Sequence, residues 1–147
     1  MKKSIIYFFL LLGLSTTYPV FSDTEVDDTD TTDETETTEL ESGNGWENVS
    51  IAELGKSGKK VHMVLVEHKR YTDKTVYSNA ISRICQGEDE FCRVRFWSQA
   101  RYIPERAKLT PDQRKQLRAD YLFNKAAGIK ELRWSCTVDP NTVNCMP

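Results

Sequence analysis

Histidine is scarce in this chain of 147 residues: His62 and His68 are the only two. If VHMVLVEH (residues 61–68) is a strand, steps of about 3.3 Å hold the two rings roughly 20 Å apart, too far to share an ion. The sequence has no C-x-x-C, which removes a redox-active dithiol and a closely spaced zinc pair. It has no G-x-S-x-G, and its acidic residues outside 23–45 are scattered, so neither a nucleophile elbow nor paired carboxylates are present. GKSGKK (residues 55–60) lacks the first glycine of a phosphate loop and precedes a strand pattern instead of following one. It reads as a mobile basic loop. No internal repeat is visible. On these grounds no catalytic residue, metal ligand or cofactor is assigned.

Also missing is an uninterrupted apolar run of the roughly 20 residues that a membrane span requires. Ile5 to Leu14 is apolar, follows Lys2 and Lys3, and is broken by Ser15, Thr16, Thr17, Tyr18 and Pro19. With Val20-Phe21-Ser22 as a cleavage site, residues 1–22 read as a secretory signal peptide of bacterial appearance. Basic residues are absent from the next stretch, residues 23–45, which carries ten acidic side chains and many threonines. A segment that repels itself and has little to bury is expected to be a disordered linker. A sharper reading makes it an intramolecular pseudo-ligand for the basic domain downstream.

From Trp46 onward the balance reverses, with 18 Lys and Arg against 12 Asp and Glu. The overall charge of −2 conceals a tail of −10 and a domain of +6. Residues 46–147 suffice for one compact domain. Its four cysteines, Cys85, Cys92, Cys136 and Cys145, form an even set behind an export signal, as a disulfide framework does. Four cysteines allow three connectivities. The local one, Cys85–Cys92 and Cys136–Cys145, is expected because turn formers (Gly87; Asp139, Pro140, Asn141) lie inside each short loop. Each bond is worth roughly 2.5 kcal/mol on the chain-entropy view.

The periodicities suggest an α/β fold. A capping-box spacing at Ser50 to Glu53 suggests a helical turn, and residues 61–68 a strand. Val76, Tyr77, Ala80, Ile81, Ile84 and Cys85 share one helical face. FCRVRFW (91–97) alternates, with Cys92, Val94 and Phe96 opposite Phe91, Arg93, Arg95 and Trp97. Thr110, Pro111 and Gln113 form a strong helix start, with a helix expected to about Lys125 and a stop at Gly128. GIKELRWSC then gives a strand with Leu132, Trp134 and Cys136 inward. The expected architecture is a small three-stranded, mostly parallel sheet (β-α-β-α-β) stapled by two local disulfides.

Between Arg93 and Arg118 lie eight basic residues and only Glu105 and Asp112 as acids. Arg93, Arg95, Arg101, Arg106, Lys108, Arg114, Lys115 and Arg118 are therefore the candidate binding face for an anionic partner. Aromatics beside arginines on 91–97 would suit nucleic acid, but the glycines of the RNA-binding sheet signature are absent. A pairing of Arg93 or Arg95 with Glu131, with the aromatics packed under a loop, is preferred. Val76-Tyr77, Phe91-Cys92, Phe96-Trp97, Pro104, Tyr121, Asn124 and Trp134-Ser135-Cys136 give the chain, over roughly residues 61–136, a pattern that resembles small uncharacterised exported proteins of proteobacteria. The resemblance implies an exported disulfide domain and no particular chemistry. The expectation is an exported, periplasmic or extracellular, non-enzymatic domain that binds an envelope or secreted partner through this basic surface, with attachment to an anionic surface (lipid or cell-wall polymer) as one alternative. The other alternative is a small enzyme with a site at the strand ends near Glu67, His68 and Trp97.

Overall fold

The structure is a computed structural model, and residues 40–141, 143, 145 and 146 are described. The expected signal peptide (1–22) and most of the expected linker (23–45) lie outside the described residues. Six strands form one sheet: β1 (Ser42–Gly43), β2 (Trp46–Glu53), β3 (Lys60–Val66), β4 (Phe91–Trp97), β5 (Ala119–Asn124) and β6 (Ile129–Trp134). They lie side by side in chain order, and every neighbouring pair is antiparallel except β3 and β4. Two helices accompany them, α1 (Lys74–Ile84) and the five-residue α2 (Pro111–Lys115). The expected three-stranded, mostly parallel sheet is therefore overturned.

Two local competitions explain the difference. The helical turn at Ser50 does not form, because residues 46–53 are strand β2. Asn44-Gly45, a strong hairpin dipeptide, turns the chain directly from β1 into β2. The same turn brings the end of the acidic segment, expected to be disordered, into the sheet. A bulge between Asn48 and Ser50 then shifts the register. It sends Trp46 into one core and Ala52 into the other, although their even spacing would place them on one face.

At the second site, the expected capping box of Thr110 and Gln113 is present, but the helix it opens ends at Lys115. Residues 119–124 are strand β5 instead. Leu117, Tyr121 and Leu122 fit a helical stripe, yet Ala119, Tyr121 and Phe123 fit a two-residue period equally well. Aromatics, with Asp120 and Asn124 as poor helix formers, tip the segment toward the open edge of β4.

The other elements follow the sequence more closely. GKSGKK belongs to the turn joining β2 to β3, where Gly55 and Gly58 adopt φ values of 63° and 67° that other residues resist. The β3–β4 connection carries α1, started by Asp73, whose carboxylate accepts from the Thr75 amide at 3.0 Å. Val76, Tyr77, Ala80 and Ile84 of α1 pack on Val64, Val66, Val94 and Phe96, with Trp46 beside them. Tyr121, Phe123, Leu132 and Trp134 extend this first core. The expected inward set Cys92, Val94 and Phe96 lies in it.

The opposite face of the sheet is not left to solvent. The long β4–β5 connection folds over it and makes a second core from Ala52, Val61, Met63, Trp97, Ala107 and Leu117. Trp97 is 0% exposed, and its indole N–H donates to the Gln113 carbonyl at 2.9 Å.

Both disulfides join the expected partners. Cys85–Cys92 connects the end of α1 to β4, with Cα atoms 5.7 Å apart. Cys136–Cys145 folds the C-terminal residues back, so that Met146 pairs in parallel beside Ser135 at the end of β6. Two such bonds suit an oxidising environment outside the cytoplasm. No helix among the described residues is long and apolar enough to cross a membrane.

Candidate functional site

Strand alternation and register set a charged row across the second face. Arg95 of β4 lies opposite Asp120 of β5, which lies opposite Arg133 of β6. The Asp120 carboxylate is the hub. Arg93 donates to it through Nε at 3.1 Å and Nη2 at 2.7 Å, a two-pronged grip on both oxygens. Arg95 donates from Nε at 3.4 Å and reaches the Ala107 carbonyl with Nη1 at 2.6 Å. The expected partner Glu131 plays no part in this and lies instead 3.9 Å from Arg133. A buried acid directly across the strand pair displaces it.

Arg95 is 7% exposed and Asp120 5%. Burial, with Arg93 next to it, draws the Arg95 guanidinium below its ordinary value, and Asp120 opposes this. An arginine remains charged through such a shift, so one carboxylate here balances one buried and one half-buried cation.

Above this row lies the segment that enters and follows α2. Together they enclose a cleft of about 480 Å³, to which Lys108, Arg114 and Arg133 contribute three further cations. The lining thus holds five cationic side chains against the single Asp120, an excess of four. Its remaining walls are Ala107, Leu109, Leu117 and Met146. A guanidinium cluster fixed to a sheet and fed by further cations is suited to grip a carboxylate, sulfate or phosphate group.

The eight basic residues singled out in the sequence do not form one surface. Arg93, Arg95, Lys108 and Arg114 meet in the cleft, and Lys115 lines the adjoining cavity beside Arg114. Arg106 shares a groove of about 530 Å³ with Lys108, but there Glu53 and Glu105 balance the charge. Arg101 stacks over Tyr102 at 4.7 Å. Arg118 is a strut: it donates to Ser98 Oγ at 3.0 Å and Thr137 Oγ1 at 2.8 Å and lies over the Tyr71 ring.

Sequence reasoning missed Asp120 and Arg133. The alternation that turned Leu132 and Trp134 inward already placed Arg133 on the other face. Asp120 was hidden by the helical reading of its segment.

Glu67, His68 and Trp97 do not assemble an open site. Glu67 and His68 are exposed, His68 stacks on Tyr71 at 5.9 Å, and Trp97 is sealed in the second core. A separate polar cluster lies on the first face. There the Asn48 amide donates to Glu41 Oε2 at 3.2 Å and to His62 Nδ1 at 3.1 Å. Burial holds the His62 imidazole below its ordinary 6.5; Glu41 and Glu88 oppose this and Lys60 adds to it. No group of three or more His, Cys, Asp or Glu among the described residues could hold a metal ion. Compared with protein-family models, curated proteins and solved structures, the chain matches none.

Proposed function

We propose that this chain is an exported, non-enzymatic recognition domain that captures an anionic group of an envelope or secreted partner in the cleft beneath α2. One observation carries the reading: five cationic side chains converge on a cleft with a single carboxylate. Surface arginines and lysines ordinarily spread their charge or pair it, as Lys125 does with Glu90 at 2.7 Å. Here five cations gather around the one carboxylate of the lining, with Glu131 outside it at 3.9 Å from Arg133, and their summed field attracts anions. Export rests on the leader-like N-terminus, the two disulfides and the resemblance to exported proteins of proteobacteria, with a periplasmic or extracellular destination.

The test is a titration of the disulfide-bonded protein with inorganic phosphate and with acetate, followed by backbone amide shifts at low and physiological salt. Shifts are expected around Arg93, Arg95 and Arg133. Replacing Lys108, Arg114 and Arg133 together by Gln is expected to weaken binding at least tenfold and flatten its salt dependence. These three hold charge in the cleft without anchoring Asp120, so the fold should survive. Unchanged affinity in the triple variant would sink the proposal.

A further inference from the structure

We infer that the cleft takes amphipathic anions, in which a carboxylate, sulfate or phosphate head is carried on a single apolar chain. This rests on the reading of the cleft as an anion site and adds the other half of the ligand.

The lining of the cleft combines charged side chains with apolar ones, Ala107, Leu109, Leu117 and Met146. On the sheet the charged row is Arg95, Asp120 and Arg133. Toward α2 apolar side chains stand between the cations Lys108 and Arg114. Leu117, 3% exposed, and Met146 supply apolar wall. Leu109 and Arg114 line the cleft and also an adjoining cavity of about 460 Å³, which Pro111 and Lys115 complete. A head group on the arginines can therefore lay its chain across Leu109 and Pro111. The aliphatic stems of Arg114 and Lys115 offer further apolar surface to such a chain. Both cavities fall in the range of roughly 300–1,000 Å³ usual for ligand pockets.

The same lining argues against the other occupants. A bare anion leaves the apolar side chains unused. An acidic peptide would set its polar backbone against Leu109 and Pro111 without using their apolar surface. The larger groove beside β2 has balanced charge and does not compete for an anion.

The experiment is a homologous series of straight-chain carboxylates from acetate to decanoate, each below its micelle-forming concentration, titrated into the disulfide-bonded protein. Affinity is expected to rise by about fourfold for each methylene that leaves water, then to level once the chain outgrows the groove. Decyltrimethylammonium, with a chain of the same length and the opposite charge, is expected to bind at least tenfold more weakly than decanoate. Leu109→Ser should erase the chain-length gain, so that decanoate binds the variant no more tightly than acetate does. Arg114→Gln should weaken acetate and decanoate alike. The series on the unaltered protein stands by itself if Leu109→Ser does not fold.

Equal affinity for acetate and decanoate would overturn the inference and leave the anion-binding reading intact. Equal binding of the cationic amphiphile would overturn it by showing adsorption without head-group recognition. An acidic peptide that binds more tightly than decanoate would also overturn it, in favour of a protein partner. No binding of any anion would remove both proposals together.

Discussion

Asp120 shows how one residue can serve both the fold and the candidate site. Its carboxylate accepts from both Arg93 and Arg95, and the buried Arg95 guanidinium would otherwise lose its counter-charge beneath the β4–β5 connection. Removing one partner of a buried ion pair leaves an uncompensated charge, which costs about 3–5 kcal/mol. Asp120→Ala is accordingly expected to lower the urea unfolding free energy by about that amount. The comparison is Lys125→Ala, which breaks a pair whose side chains are 62% and 72% exposed; its loss should stay under about 1 kcal/mol. Urea melts of the two variants side by side check the claim, and equal losses would refute it. The arginines were visible in the sequence because charge density along a strand can be counted without knowing the fold. Their partner was not visible, because cross-strand pairing depends on register. Glu131 and Asp120 are equally acidic, and only the antiparallel pairing of β4 with β5 decides between them.

Among the strand pairs, β1 with β2 has the shortest ladder, and a series of side chains ties it to β3. Asn48 on β2 links Glu41, just before β1, to His62 on β3. Because the amide N–H donates, His62 Nδ1 accepts, and a proton there would set two donors against each other. The folded pKa lies below 6.5, so as the pH falls the unfolded chain takes up the proton first. Stability contributed at this site is therefore complete above about pH 7 and declines as the pH falls from 6.5 through the folded value. His62→Gln should remove that decline. Urea midpoints at pH 7.5 and 5.5 for both proteins check it, and parallel shifts would refute it. The same scale explains what periodicity could reveal. The strand over 91–97 and the helix over 74–84 have one strong period each, the strand expected over 61–68 is marked by its β-branched run and ends at Val66, and all three are present. Residues 46–53 carry a bulge that breaks their alternation, and residues 116–124 satisfy two periods at once. In both cases the neighbouring strand supplies the deciding hydrogen bonds, and a single sequence does not show its neighbour.

For the molecule as a whole, the topology is two antiparallel meanders, β1-β2-β3 and β4-β5-β6, joined along the one parallel seam. Local reading found the two disulfides, since their loops are short and their turn formers lie inside them. It mistook the sheet, since strand–helix–strand order is satisfied by a parallel fold and by this mixed one. The seam has a consequence for integrity. The residues between α1 and β4, Gln86 to Glu90, are exposed, and the Cys85–Cys92 bond spans them. A cut there separates the two meanders along the chain but not in space, since the sulfur bridge and the seam still hold them. Cleavage after Glu88 or Glu90 by a glutamate-specific protease is expected to give a single band on a non-reducing gel and two fragments once a thiol is added. Two fragments without reductant would refute it. In a compartment rich in proteases, the domain would then persist as a two-chain protein, with its durability set by the redox state of its surroundings.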